Sequence, residues 1–145
     1  MPTVQKILER KGSCVLSTTE DATVLEAAKR MNEHHVGALV VTRGDKVIGI
    51  FTERDILNRV VAGQRDPATT AVESVMTAPV MVCSPETTRD ECRTVMRERR
   101  IRHLPVVQDG QLVGLVSIGD MYESAELDHT TTIQYLYEYM HGEWK

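Results

Sequence analysis

A chain that writes one pattern twice is constrained to fold as two similar units, and this sequence carries such a pattern. Residues 36–57, VGALVVTRGDKVIGIFTERDIL, and residues 101–122, IRHLPVVQDGQLVGLVSIGDMY, align without a gap at an offset of 65. The offset joins Leu39 to Leu104, Val41 to Val106, Gly49 to Gly114 and Asp55 to Asp120. It persists upstream, joining Val15 to Val80, Thr23 to Thr88, Glu26 to Glu91, Met31 to Met96 and Glu33 to Glu98. Identity is only 9 of 43 positions between 15–57 and 80–122, so pattern carries the case as much as letters. Two half-buried units bury their apolar faces against each other and leave paired, pseudo-equivalent sites at the seam. Function is therefore expected at a cleft between the copies rather than in a single catalytic pocket.

Each copy reads as strand, helix, strand, strand, helix. Thr23-Val-Leu-Glu26 and Thr88-Arg-Asp-Glu91 have capping-box spacing, in which two side chains satisfy each other's free backbone N–H groups, so a helix is expected to start at both places. Leu39 to Thr42 and Leu104 to Val107 are short β-branched runs that end at Gly44-Asp45 and Asp109-Gly110, the signature of tight hairpins. The return strands are Val47 to Phe51 and Leu112 to Val116. Next come Thr52-Glu-Arg-Asp55 and Ser117-Ile-Gly-Asp120, a hydroxyl three residues before a carboxylate, which suits the N-terminus of a second helix. Val4, Ile7 and Leu8 show the i, i+3, i+4 spacing of a helical stripe, and so do Val72, Val75 and Met76, at an offset of 68.

Composition supports one soluble unit of this kind. A chain of 145 residues hides roughly 70% of its unfolded surface, enough for a core without staples. Hydrophobic residues at 41% and charged residues at 26% are ordinary for a globular protein. No apolar run approaches membrane-spanning length and the N-terminus does not read as a signal, so neither insertion nor secretion is indicated. The three cysteines, Cys14, Cys83 and Cys92, are odd in number and lack C-x-x-C spacing, so they read as reduced thiols, with Cys92 on the inner face of a helix. Adjacent His34 and His35 point in different directions on a helix and have no partner ligand at metal spacing; they read as solvated helix-end residues. A net charge of −4 with one short basic patch gives no footprint for a nucleic-acid backbone. There is no G-x-S-x-G, P-loop or H-E-x-x-H, and no nucleophile beside an oriented base, so no catalytic residues are assigned.

The doubled run of hydrophobic-Gly-Ala-Leu-Val-Val, hairpin, hydrophobic-Gly, then Thr/Ser-x-x-Asp resembles a tandem pair of CBS domains, a Bateman module, over residues 4–125. The resemblance implies an α+β fold of two β-α-β-β-α repeats packed by pseudo-twofold symmetry. The expected divisions are a first repeat at 4–62, a linker at 63–71, a second repeat at 72–126 and a C-terminal helix at 128–142. It further implies an adenosine ligand such as AMP, ATP or NAD(H), with S-adenosylmethionine less expected.

A carboxylate offers two acceptor oxygens to the adjacent hydroxyls of a ribose, and in the family that aspartate clasps ribose, which nominates Asp55 and Asp120. Thr52 and Ser117 stand one turn earlier and reach the same ligand. The competing structural role is that both pairs are helix caps, and the two roles are compatible. By the same resemblance Ile50 and Leu115 supply apolar walls for adenine. Arg102 and His103 precede the strand that contacts the phosphates; their counterparts Gly37 and Ala38 carry no charge but allow close approach. Arg54 adds a phosphate contact that its counterpart Gly119 cannot make, so the two clefts are expected to differ. Arg97, Arg99 and Arg100 complement a helix C-terminus and stay solvated.

Ile133, Leu136, Tyr137 and Met140 repeat at helical spacing beyond the duplication, with Tyr135, Tyr139 and Trp144 around them. Aromatic residues and Met are favoured in interface cores, so this segment either folds back or offers a contact surface. Paired CBS modules commonly form disc-like dimers, which makes a homodimer the first partner expected, with an unidentified protein target as a second. The expectation is a regulatory nucleotide sensor, not an enzyme, in the cytoplasm, or in an organelle matrix if a targeting peptide has been removed. The rival reading is an adaptor that has lost ligand binding and acts through its C-terminal helix.

Overall fold

The computed structural model describes residues 2–12 and 14–122. The C-terminal helix expected at 128–142 lies outside the described residues. The chain divides into two compact units, and their membership cuts across the sequence repeats. Among the described residues, one unit takes 2–12 and 14 together with 81–109 and 113–122; the other takes 15–80 and 110–112. Each repeat thus sits with the lead-in segment of the other: 4–11 belongs with the second repeat and 72–77 with the first.

In the unit built on 15–80, strand β1 (Ser17–Thr19) runs parallel to β2 (Ala38–Arg43), which pairs antiparallel with β3 (Lys46–Thr52). Between β1 and β2 lies helix α2 (Val24–His34), whose N-cap is Thr23, its hydroxyl accepting the Glu26 N–H. The helix ends at His35 in the left-handed conformation, φ 55°, with both histidines exposed. Val24, Ala27 and Met31 on its inner face join Leu39, Val41, Phe51, Val60, Val72 and Val75 in the core. At the β2–β3 turn only Gly44 has positive φ, 61°, the pattern of a II′ hairpin. After β3 comes α3 (Glu53–Asp55), which passes into a π-helical run, Ile56–Val61.

The expected second lead-in helix is a single 3₁₀ turn, Val72–Ser74. Val72 and Val75 are buried as the stripe requires, but the next residues are drawn into the sheet: Thr77 N–H donates to the Ile50 carbonyl at 2.9 Å and Ile50 N–H to the Thr77 carbonyl at 3.0 Å. A helix cannot continue through a segment whose backbone is committed to a strand.

The other unit opens with α1 (Val4–Lys11), capped by Thr3, with Val4, Ile7 and Leu8 buried. Helix α4 (Arg89–Arg99) starts with a full capping box between Thr88 and Glu91 and buries Cys92 and Met96. It ends at Arg100 with φ 55°, 65 residues after the equivalent turn at His35, leaving Arg97, Arg99 and Arg100 exposed as expected. Strands β4 (His103–Gln108) and β5 (Gln111–Ser117) form a hairpin turned by Asp109 and Gly110, both with positive φ, the I′ pattern. The first strand of this repeat shrinks to one parallel bridge, Cys83 to Val106, the register counterpart of Thr18 to Val41. The reason is Pro105, which stands where Val40 stands in the first copy. Val40 N–H donates to the Leu16 carbonyl, and a proline has no such donor. Among the described residues no helix is long and apolar enough to cross a membrane.

Candidate functional site

Strand alternation sets the stage for the site. In the first copy Leu39, Val41 and Phe51 point into the core, which leaves Ala38, Ile50 and Thr52 on the opposite face of the sheet. Register brings them together, because Ala38 pairs with Thr52 and Val40 with Ile50. Ala38, Val40 and Ile50 are buried there although they lie outside the core cluster. In the second copy Leu104, Val106 and Val116 take the core side, so His103, Leu115 and Ser117 share the other face. Three predicted contact residues of each copy therefore fall on one sheet face.

The carboxylates stand at the end of that face. Thr52 Oγ1 accepts the Asp55 N–H at 3.2 Å and Asp55 Oδ2 accepts the Thr52 N–H at 3.0 Å, a complete capping box. Asp55 is only 5% exposed. Its Oδ1 accepts the Thr77 hydroxyl at 3.0 Å and lies 3.8 Å from Arg59 Nε. The second copy repeats the box, with Asp120 N–H on Ser117 Oγ at 3.3 Å and Ser117 N–H on Asp120 Oδ2 at 2.7 Å. Its third partner is ionic, since Lys11 Nζ lies 2.7 Å from Asp120 Oδ2 and 3.0 Å from the Leu115 carbonyl. The cap role weighed from the sequence is realised at Thr52, where α3 begins; at Ser117 the same reciprocal bonds form, but they lead only into a 3₁₀ turn, Gly119–Met121, whose N-cap is Ile118.

A common joint underlies both arrangements. A Cβ on Gly49 would meet Met76 Sδ at 2.6 Å and the Thr77 carbonyl at 2.9 Å, while one on Gly114 would meet the two Leu8 methyls at 2.7 and 2.8 Å. Leu8 and Met76 are related by the 68-residue offset of the lead-in segments. In each unit the strand glycine admits a lead-in segment, and that segment then supplies the third partner of the box carboxylate, Lys11 in one and Thr77 in the other. Sequence reasoning did not find Lys11 or Thr77. The repeat gave no signal for them, because the residue 68 positions after Lys11 is Pro79 and the one 68 before Thr77 is Glu9.

The remaining predicted residues are distributed as follows. Gly37 C=O accepts the Glu53 N–H at 3.1 Å, and the Glu53 carboxylate covers the space its side chain would fill. Both line a depression of about 380 Å³ with Met31, Asn32, His35 and Ile56. Arg54 is exposed on α3. The Arg102 C=O accepts the Ile118 N–H at 2.8 Å, the counterpart of the Gly37–Glu53 bond. His103 departs from the expectation of a positive cluster. Burial, reinforced by the Lys11 and Arg102 charges and opposed by Asp120, lowers its pKa to about 4, so the imidazole is neutral at pH 7 and offers one donor and one acceptor. Positive charge beside Asp120 comes from Lys11, and the Arg102 charge acts with it on His103. No metal-ligating group of three His, Cys, Asp or Glu exists among the described residues.

A duplicated α+β unit with a capped, buried aspartate at the end of each hairpin defines a tandem-repeat module. Residues 13–62 and 72–126 match the CBS domain, and the chain belongs to the CBS-domain family. It is 36% identical over 149 residues to the mitochondrial CBS domain-containing protein CBSX3 of Arabidopsis thaliana, covering 97% of this chain and 72% of that protein. A solved protein with CBS domains from Burkholderia ambifaria superposes with a TM-score of 0.83 at 43% identity, covering 88% of this chain and 96% of that one. The hexameric CBS-CP12 protein from bloom-forming cyanobacteria superposes with a TM-score of 0.76 at 31% identity, covering 87% and 72%. Tandem CBS domains are as a class regulatory, ligand-binding modules, and proteins of this kind are regulators rather than enzymes.

Proposed function

We propose that the protein is a regulatory sensor that binds an adenosine ligand, AMP, ATP or NAD(H), through the ribose at one or both aspartate boxes. The observation that supports this reading is the reciprocal Thr/Ser-x-x-Asp box, repeated at an offset of 65 and placed each time beside the apolar sheet face that carries Ile50 or Leu115. The second copy is the stronger candidate. Both close partners of Asp120, the Ser117 N–H and the Lys11 ammonium, fall on Oδ2, and Lys11 and Arg102 bring positive charge to the phosphate end. Asp55 has the Thr77 hydroxyl at 3.0 Å from Oδ1 and 3.3 Å from Oδ2 as well as the Thr52 N–H on Oδ2, so fewer acceptor positions are left for a ribose there. Gly37, Ala38, Thr52 and Arg54 serve the first copy, and Arg102, His103 and Ser117 the second.

The ligand shifts a homodimer, or a docking surface for a target protein, toward one state, and does so only through unequal affinity for the two states. Self-association is in keeping with the hexameric relative, and a mitochondrial relative makes an organelle matrix as reasonable a home as the cytoplasm.

Calorimetry and thermal unfolding with AMP, ATP, NADH and S-adenosylmethionine test the reading. A ligand at a hundred times its Kd adds about 2.7 kcal/mol of stability, worth several degrees in a chain of this size. Asp120→Asn keeps an acceptor for the cap and removes the charge, so it is expected to weaken the best ligand at least about tenfold, roughly 1.4 kcal/mol. Unchanged affinity in both Asp120→Asn and Asp55→Asn would reject the assignment. No response to any nucleotide would favour the adaptor.

A further inference from the structure

The 3₁₀ turn at Val72–Ser74 leaves carbonyls that a longer helix would have satisfied. In the other lead-in segment the Leu8 carbonyl accepts the Gly12 N–H at 2.7 Å, at the end of α1. Met76 stands 68 residues after Leu8, beyond the end of its own turn, so no helical N–H covers its carbonyl. Arg59 supplies the donor instead. Its Nη1 donates to the Met76 carbonyl at 2.6 Å and to the Val75 carbonyl at 3.3 Å. The same guanidinium has Nε 3.8 Å from Asp55 Oδ1, four residues back.

Arg59 thus links the box aspartate to the two residues before Thr77, whose hydroxyl is the third partner of Asp55. The two ends of the link differ in strength. At Asp55 the contact is longer than a hydrogen bond and the arginine side chain is 50% exposed, so charge attraction there is weak. At the carbonyls the bonds are charge-assisted, one of them is short, and they act on the backbone that carries Thr77. The Ile50 bridge engages Thr77 alone and leaves residues 75 and 76 to Arg59. On the reading that Asp55 receives ribose hydroxyls, we propose that Arg59 is the positioning residue of the first aspartate box: it holds residues 75 and 76, keeps the Thr77 hydroxyl on Asp55, and so restrains how tightly this box takes a ribose. The Thr77 hydroxyl uses acceptor positions that a ribose needs, so loosening the hold strengthens the box. Loss of a direct ligand contact would weaken it.

Two measurements on the full chain test the hold and its consequence separately. In the first, Thr77→Val is combined with Arg59→Met and with Arg59→Lys, and every variant is unfolded in urea. The midpoint loss caused by Thr77→Val should fall to about half or less in Arg59→Met, and Arg59→Lys, which keeps a charged donor, should preserve more of it. A loss undiminished in Arg59→Met, or diminished equally by both Arg59 changes, overturns the hold. The second is calorimetry with adenosine in an Asp120→Asn background, which isolates the first box. Adenosine has the ribose diol and no phosphate for an arginine to attract. Arg59→Met should tighten adenosine about threefold and add nothing once Thr77→Val is present. Unchanged or weaker binding in Arg59→Met overturns the restraint. A hold found without any adenosine binding rejects the ribose reading of Asp55 and leaves the hold standing, whereas binding without the hold rejects the role of Arg59 and leaves that reading standing.

Discussion

Replacing Gly49 by alanine should damage the first-copy unit far more than the same change at Gly114 damages the other. The contacts differ in kind. At Gly49 the new methyl group meets a backbone carbonyl, Thr77 C=O, at 2.9 Å, with Met76 Sδ at 2.6 Å; at Gly114 its three nearest atoms all belong to the Leu8 side chain, the two methyls at 2.7 and 2.8 Å and Cγ at 3.3 Å. A leucine end can change rotamer, whereas the Thr77 carbonyl is held by the Ile50 N–H at 3.0 Å and the Thr77 N–H by the Ile50 carbonyl at 2.9 Å. Moving that segment also draws the Thr77 hydroxyl off Asp55. Overpacking alone costs about 1–3 kcal/mol. Strain on one backbone bond adds about 1 kcal/mol, and weakening a hydrogen bond to a buried carboxylate adds a similar amount. Alanine recovers about 0.5–1 kcal/mol through lower chain entropy in a strand. The balance for Gly49→Ala is a loss of about 3 kcal/mol, and for Gly114→Ala about 1 kcal/mol.

Urea denaturation at constant m-value measures both. Leu8→Ala, itself costly at about 2–5 kcal/mol, should cost less in the Gly114→Ala background because the clash partner has gone, a coupling of about 1 kcal/mol. Met76→Ala should rescue Gly49→Ala only in part, since the carbonyl remains. The reasoning fails if Gly49→Ala lies within about 0.5 kcal/mol of the unmodified protein, if Gly114→Ala proves the worse of the two, or if the Leu8 and Gly114 changes are additive.

Other outcomes follow from the two boxes. His103 takes up a proton near pH 6.5 in the unfolded chain but only near 4 in the folded one, so the unfolded state binds more protons between those values. Its contribution is whole above pH 6.5 and falls as pH drops toward 4, by at most about 3 kcal/mol; His103→Gln should flatten that part of the stability curve, and an unchanged slope would refute the role of burial. Because the Lys11 charge depresses this pKa, Lys11→Met should raise it in an NMR titration, and a fall would contradict the arrangement around Asp120. Thr77→Val should cost about 1.5–3 kcal/mol in urea by leaving Asp55 short of a donor, while Thr77→Ser, which keeps the hydroxyl, should avoid most of that loss. Equal costs for valine and serine would show that the hydroxyl is not what matters.

What the sequence made legible was local. The caps at Thr23, Thr52 and Thr88 are decided by residues three apart, and each forms where spacing placed it. The hairpins are fixed by Gly44-Asp45 and Asp109-Gly110, so the four long strands fall within a residue or two of the alternating runs. Failures arise where distant backbone competes. Val72, Val75 and Met76 carry a helical stripe, but Thr77 is taken by Ile50 and only one 3₁₀ turn remains. The duplication also hid a loss, since the first strand of the second copy is cut to a bridge by a proline on its neighbour, a consequence of pairing rather than of propensity. Lys11 and Thr77 were invisible for the same reason: their partners lie 109 and 22 residues away, and nothing in a three-residue window records that.

The distribution of these failures explains how one duplicated plan yields two chemically distinct boxes. The parts the copies share, namely the strand glycine, the hydroxyl and the aspartate, sit in the gapless alignment and reproduce the same pair of reciprocal hydrogen bonds in each unit. The part they do not share comes from lead-in segments that differ in register by three residues and in form, a helix of eight residues in one and a 3₁₀ turn in the other. A helix carries its last turn far enough to bring a lysine to Asp120, whereas the shorter turn hands over to an extended residue whose hydroxyl meets Asp55. One carboxylate is thereby balanced by a cation and the other by a neutral donor, with Arg59 only at 3.8 Å. Removing the charge of Lys11 should therefore change the salt dependence of any anionic ligand at Asp120, and removing the Thr77 hydroxyl should change affinity at Asp55 with no change in salt dependence. Identical salt responses in the two variants would mean that the lead-in segments do not set the electrostatics of the boxes.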